Sequence, residues 1–304
     1  MSLEEIIYSN SFLLDLSRKV MGLGNVIAPS IMIRLVFRFR QGKWPNLKHP
    51  QTFNEKIQWM RLHDDGDSLK TLLVDKYLVR DWIREKIGDQ YLIPLIGVWD
   101  SVDDIDFSQL PEKFVLKANH GSGWNIIVKD KKSLNIKDTK KKLEKWLSIN
   151  YGKSSLEPQY TNVPPKIIAE EYIENSIGEL LDYKIHCYGG EPQYIQCMTG
   201  RASHATLQEK IYDLNWNELP FVQNYPRYSG DIKKPADLPH LVRLARKLSK
   251  DFNYVRVDFY VLDDGSIKFG EMTFTPGAGV GTWNIPEYNL EFGKLISLDA
   301  MRSI

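Results

Sequence analysis

The sequence predicts an α+β protein, and three features carry that reading. Residues 254–279, YVRVDFYVLDDGSIKFGEMTFTPGAG, read as a β-hairpin. Val255, Val257, Phe259 and Val261 alternate there with Arg256, Asp258 and Tyr260, the period of a half-buried strand, and Asp263-Asp264-Gly265 supplies the turn. Two more strand–turn–strand stretches stand earlier, at 114–129 and 182–198. Segments 53–64, 131–150 and 239–251 place apolar residues at helical spacing.

Composition bounds the function. The chain has 304 residues, enough for one large domain or a few lobes. It is 42% hydrophobic and 26% charged, with 40 basic and 39 acidic residues and a net charge of +1. Nothing in that balance points to nucleic acid. Cys187 and Cys197 lack metal spacing and fall in strand-like runs, so both are expected as buried thiols in a reducing compartment. No apolar run is long enough to span a bilayer, and the acidic start shows no secretory-signal order. A cytoplasmic location is expected.

In chain order, residues 6–45 are helical in pattern, basic, and broken at Gly22/Gly24. Ile31, Ile33, Leu35 and Phe37 alternate with Arg34, Arg38 and Arg40, a pattern suited to an anionic membrane surface, to an acidic partner, or to packing on the body. Thr52 reads as the N-cap of a helix with Glu55 completing a capping box. Residues 69–86 read as one amphipathic helix on which Lys76 and Arg80 share a face, in isolation a solvated one. Residues 91–98 form a short buried strand. At 114–123 an apolar strand ends in Lys117 and a loop with Gly121, Ser122 and Gly123, followed by a second strand at 125–129. Glycine lets backbone N–H groups approach an anion, so this is a phosphate-cradling arrangement; a plain hairpin turn is the alternative. It is not a Walker A loop, because no GKS or GKT follows.

The lysines of 131–150 read as solvated surface, and 151–165 as an irregular loop with three prolines. Residues 166–173 are a strand running into a reversal, whose edge offers the N–H and C=O groups an adenine ring needs. Asp182 and Lys184 share a face of the next strand. Residues 200–210, with Arg201 and His204, read as a polar loop over a site, 239–251 as an amphipathic helix, and 289–304 as a short terminal helix.

The hairpin at 254–279 carries the chemistry. Pairing through its turn brings Asp258 beside Glu271. Two adjacent carboxylates call for a cation, and hard oxygen ligands suit Mg²⁺ together with waters and phosphate oxygens. Arg256 adds a fixed positive charge where phosphoryl charge develops. In isolation, the same residues also fit an ordinary wet strand face.

The pieces in this order resemble the ATP-grasp superfamily, and most closely its TupA-like branch. The stretches that carry the resemblance are FNEKIQWMRLHD, DKYLVRDWIREKIG, YLIPLIGVWD, LPEKFVLKANHGSG, DYKIHCYGGEP and EMTFTPGAG, within residues 45–298. The resemblance implies an ATP-grasp fold, two α+β lobes gripping ATP between antiparallel sheets. The lobes fall at 111–175 and 176–304, behind a region at 46–110 and an N-terminal helical extension at 1–45. It implies that Lys117 and Arg80 serve the phosphates, with Gly121, Ser122 and Gly123 folding over them. Glu170, Glu171, Tyr172 and Ile173 form the adenine hinge, and Asp182, with Lys184, lies on the ribose side. Asp258 and Glu271 match the Mg²⁺ carboxylates, and Arg256, with Lys117 and Arg201, the catalytic cations. Thr273 stands where the family usually has a third ligand, Asn, so a second Mg²⁺ is less supported. The implied activity is an ATP-dependent carboxylate–amine ligase acting through an acyl phosphate, with a uronic acid or amino acid of a surface polysaccharide as substrate. A kinase acting on a hydroxyl and a non-catalytic glycan- or membrane-associated protein are the alternatives. Residues 1–45 would serve any partner at the inner face of the membrane.

Overall fold

A computed structural model describes residues 24–298, except 26, 65–66, 176–179 and 201–205. Arg201 and His204 therefore lie outside the described residues.

Two antiparallel sheets organise the chain. Strands β1 (Leu95–Trp99), β2 (Phe114–Ala118), β3 (Asn125–Val128) and β4 (Ile167–Glu171) form a small sheet in the order β1-β4-β2-β3. Strands β5 (Asp182–Tyr188), β6 (Glu191–Thr199), β7 (Gln208–Tyr212), β8 (Tyr254–Val261) and β9 (Ile267–Thr273) form a larger one in the order β7-β6-β5-β8-β9. Around them lie α1 (Pro29–Gln41), α2 (Phe53–His63), α3 (Ser68–Val74), α4 (Val79–Lys86), α5 (Ile136–Leu147), α6 (Tyr151–Ser155), α7 (Leu238–Ser249) and α8 (Pro286–Lys294).

The period-2 pattern of β8 sorts the large sheet into two faces. Val255, Val257 and Phe259 join Ile185, Leu241, Leu248 and Ile83 in a core beneath α3, α4 and α7. On the opposite face Tyr254 packs with Tyr188, Tyr194, Phe53, Trp283 and Phe292 in an aromatic cluster under α2 and α8. That cluster covers one end of the face only. Along β8, residues 256, 258 and 260 emerge from it in turn toward the small sheet. Cys187 and Cys197 are buried free thiols, as expected, and burial pushes the Cys187 thiol up to about 12.

Local sequence explains the ends of α2. The Thr52 hydroxyl accepts from the Glu55 N–H, and the Glu55 carboxylate accepts from the backbone N–H groups of Thr52, Gln51 and Asn46, a complete capping box. The single helix expected at 69–86 is instead two. The buried Asp75 carboxylate accepts from the N–H groups of Tyr77 and Leu78, which stops α3 and restarts the chain as α4. The other corrections are smaller. Residues 151–165 contain α6 rather than loop alone, and the strand expected at 91–98 begins only at Leu95, after a 3₁₀ turn at Asp89–Tyr91. β1 then pairs with β4 and so belongs to the small sheet. Lys210, expected in a loop, lies in β7 and pairs with Glu218. The last described helix starts at Pro286, earlier than expected.

Candidate active site

The register of the central hairpin sets Asp258 opposite Glu271, and a β-bulge is what makes this possible. Near the turn the ladder is regular, with Phe259 opposite Phe269 and Val261 opposite Ile267, all facing the core. Strict alternation would send Glu271 into that core with Phe269. The register shifts between Asp258 and Phe259, so Gly270 is the extra residue and the parity of β9 reverses. Glu271 and Thr273 then share the face of Arg256 and Asp258, and Met272 turns to the core.

The residues brought together there form a tight ion cluster. Arg256 donates to both oxygens of Asp258, at 2.7 Å each, to Thr273 Oγ1 at 3.0 Å and to Glu271 Oε1 at 3.3 Å. Lys184 from β5 donates to Asp258 at 2.6 Å and pairs with Asp182 at 2.9 Å. Far from a wet strand face, Asp258 is 1% exposed, with Arg256 and Lys184 laid against its carboxylate. Burial disfavours its charge, but Arg256 and Lys184 outweigh that and hold the carboxyl below its ordinary value. Glu271 is the open member of the cluster, its side chain 34% exposed.

A cavity of about 970 Å³ lies between the two sheets. Val115, Lys117 and Ile127 line it from the small sheet, Glu171, Tyr172 and Ile173 from the segment after β4, and Tyr260 from the large sheet. Its lining mixes apolar residues with polar and charged ones, among them Lys117, Lys129, Asp130 and Glu171, and its size is at the upper limit of ordinary small-molecule sites, about 300–1,000 Å³. The Lys113 and Lys129 ammonium groups sit 5.9 and 5.7 Å from the Tyr172 ring.

This order of parts, a strand lysine, a glycine turn, a hinge segment and a carboxylate hairpin, is matched as a whole: the family described as TupA-like ATPgrasp covers residues 55–297. The chain belongs to the TupA-like ATP-grasp family. Among solved structures it is similar to a D-alanine–D-alanine ligase from Bacillus anthracis complexed with ATP, with 18% identity and a TM-score of 0.42 over 68% of this chain and 56% of that one. It is also similar to an N5-carboxyaminoimidazole synthetase from Staphylococcus aureus, with 13% identity and a TM-score of 0.42 over 76% of this chain and 51% of the other. A third is the ATP-grasp ligase PsnB complexed with a precursor variant, Mg and ADP, with 11% identity and a TM-score of 0.38 over 69% and 52% of the two chains. The chain thus spans about half the length of these structures. No curated protein matches it. The membership rests on the family match.

Within this ATP-grasp chain the expected site residues, apart from Arg201 and the turn at Gly121, Ser122 and Gly123, divide into three groups. Lys117, Glu171, Tyr172 and Ile173 line the cavity, whereas Arg256, Asp258, Glu271, Thr273, Lys184 and Asp182 form the ion cluster. Arg80 and Glu170 are set back behind the cavity wall. Arg80 donates to Glu170 Oε1 at 2.9 Å and to the Ile93 carbonyl at 2.7 Å, and Lys117 reaches Glu170 Oε2 at 2.5 Å. The structure therefore uses Glu170 to fix Lys117 and uses Arg80 to fix Glu170. Burial lowers the Lys117 pKa, but the Glu170 charge more than restores it, so the ammonium is kept.

Gly121, Ser122 and Gly123 form the turn between β2 and β3, and Gly123 has φ +71°. The residues before it are anchored. Asn119 donates to the Pro164 carbonyl and accepts from the Lys166 N–H, and His120 bonds the Trp146 carbonyl at 3.1 Å. Only Ser122 and Gly123, at the tip of the turn, are exposed.

Lys76 is the functional candidate that the sequence reading set aside as surface. It sits in the α3–α4 break, and its ammonium donates to the Gly121 carbonyl at 2.5 Å. Burial lowers its pKa, partly opposed by the Glu271 charge and reinforced by Lys117. The signal was Asp75, whose capping habit turns Lys76 out of the helix surface. Beyond Thr273, the loop is held from α2, where Gln58 and Arg61 donate to the Ala278 carbonyl at 2.7 and 2.8 Å, and Ala278 takes φ +50°.

Proposed function

We propose that the protein is an ATP-dependent carboxylate–amine ligase that amidates a uronic acid, or attaches an amino acid, in surface-polysaccharide assembly. The observation that carries this reading is that Asp258, Glu271 and Arg256 share the β8 face with Tyr260, which lines the cavity bearing Lys117 and the 171–173 segment. In this reading the cavity takes adenine between Val115, Ile127 and Tyr260, with backbone groups of 171–173 at its edge. The lobes are read as 111–175 together with β1, and 176–304.

The donor set fits a magnesium ion. It offers two carboxylates and a hydroxyl, all hard oxygens, one carboxylate open to the cleft. Mg²⁺ is commonly held by one or two carboxylates with substrate phosphates and waters. Glu271 would be its principal ligand, with Asp258 sharing it when a polyphosphate draws Arg256 away. Bound there, Mg²⁺ supplies charge neutralisation at the transferred phosphoryl group.

The chain's own residues do the rest. Lys117 and Lys76 place two ammonium groups at the phosphate end, and Arg256 a guanidinium. The substrate carboxylate attacks the γ-phosphorus and ADP leaves. The amine then attacks the acyl carbon, losing a proton, and phosphate departs with one former carboxylate oxygen. Positioning and charge suffice for both steps, without a protein nucleophile. Closure of the glycine tip over the phosphates excludes water from the acyl phosphate. The site is expected to work in the cytoplasm at the inner face of the membrane. ADP release that needs both an acid and an amine, and is lost in Glu271→Gln, tests the reading; ADP release with a hydroxyl acceptor and no amine overturns it in favour of a kinase.

A further inference from the structure

The N-terminal helix α1 leaves its outermost ridge bare. Ile33 and Phe37 are buried against the body. At about 100° per residue, Leu35 falls on the side directly opposite the midpoint of that pair. Ile27, Ile31, Leu35 and Phe39, each four residues from the next, are 72%, 59%, 48% and 62% exposed, and Trp44 just beyond is 59% exposed. These five account for half of the exposed large hydrophobics among the described residues; Ile31, Leu35 and Phe39 form one ridge of α1, and Ile27 and Trp44 lie just outside its two ends.

The stretch of sequence that carries the ridge has charge of a single sign. Between Asp15 and Glu55 the sequence has no carboxylate, while Arg34, Arg38, Arg40, Lys43 and Lys48 lie on or just after the helix, in a chain of net charge +1. An apolar ridge with a tryptophan nearby and only basic charged residues in its own stretch of sequence complements an anionic lipid surface, where the ridge enters the acyl boundary and the cations meet headgroups. No helix among the described residues is long and apolar enough to cross a membrane.

We infer that α1 docks the protein in the plane of an anionic bilayer through Ile31, Leu35 and Phe39, with Ile27 and Trp44 at its two ends. This names the surface behind the proposed inner-face location and rests on that reading for location alone. The helix also has a fixed relation to the site. Its last residue, Gln41, donates to the carbonyls of Val280 and Gly281, at 2.8 and 3.2 Å, in the loop that follows Thr273. Docking therefore sets the end of the cleft beyond Thr273 at a defined height above the lipid, facing an acceptor carried on the membrane.

The test is co-sedimentation of the full chain with vesicles of phosphatidylglycerol and phosphatidylcholine, or of phosphatidylcholine alone. Binding is expected only with the anionic lipid. It should drop about tenfold or more in Leu35→Glu/Phe39→Glu, weaken with salt, and fall in Arg34→Gln/Arg38→Gln. Nucleotide binding by these variants should stay unchanged, which separates failure of this inference from failure of the ligase reading. Leu35→Cys provides a second readout, since Cys187 and Cys197 are buried. Fast maleimide labelling without lipid and protection with anionic vesicles support docking. Equal binding to neutral and anionic vesicles, or none, overturns it. So does slow labelling without lipid, which would mean that another part of the chain or a second copy already covers the stripe.

Discussion

Replacing Asp258 with Asn separates two roles that this carboxylate could have. If it served only as a metal ligand, its removal without metal would relieve a crowded acidic site and leave stability unchanged or raised. The structure assigns it a larger part in the resting fold, because it accepts two hydrogen bonds from Arg256 and one from Lys184 while almost wholly buried. Breaking a buried, hydrogen-bonded charge pair costs about 3–5 kcal/mol, since the remaining charges lose their partner in a poorly solvated site. Lys184 keeps Asp182, and Arg256 keeps Glu271 and Thr273, so the low end, about 3 kcal/mol, is expected. For a chain of this size that is a fall in Tm of about 6 °C. The assay is thermal unfolding in buffer with chelator and no nucleotide, read by fluorescence and by circular dichroism. The folded-state pKa of Asp258 is depressed, so its stabilisation is present above the unfolded value of about 3.9 and fades as pH falls through the lower folded value. The gap between wild type and Asp258→Asn should therefore be constant at neutral pH and close in acid. An unchanged or higher Tm for the variant near pH 7 would refute the assignment.

Other perturbations probe neighbouring parts. Glu271→Gln, at the open edge of the cluster, should lose at least about a hundredfold in Mg-ATP turnover while its Tm shifts by no more than a few degrees, checked by ADP release and thermal unfolding. Arg80→Met strips Glu170 of one of its two cations and should cost about 3 kcal/mol in denaturant unfolding, with weaker nucleotide binding through a displaced Lys117. Burial pushes Glu209 up to about 8, so the stability that it contributes is complete below its ordinary 4.5 and lost as pH rises through about 8. Glu209→Gln should flatten the decline of Tm across that window, measured at matched ionic strength. Deleting Gly270 would remove the bulge but join Phe269 directly to Glu271, so plain alternation keeps Glu271 opposite Asp258 and Met272 in the core. Urea unfolding should then stay within about 3 kcal/mol of wild type, with Asp258 and Glu271 still paired.

Sequence alternation made the hairpin legible, and the Thr52–Glu55 spacing made the start of α2 legible, because both are local. The pairing of Asp258 with Glu271 was read correctly for an incomplete reason. A regular ladder would not deliver it, and the bulge that does is marked only by Gly270 inside a strand. The roles of Arg80 and Glu170 were not legible, since a salt bridge between residues ninety positions apart is set by how β4 packs beside α4. Lys76 was hidden by a helical pattern that runs through Asp75, where the side chain outcompetes the helix for two N–H groups. Burial of the ion cluster escaped the sequence as well, because period-2 alternation says which face a residue takes but not what covers that face.

The central claim is that a carboxylate is activated on this site by phosphoryl transfer and captured by an amine. It is tested most directly by turning over Mg-ATP with an amine and a glycan uronic acid whose carboxylate carries heavy oxygen. The released phosphate is expected to contain one heavy oxygen per amide formed, with no release in Glu271→Gln. Phosphate without the label, or a phosphorylated hydroxyl formed with no need for the amine, would contradict the claim.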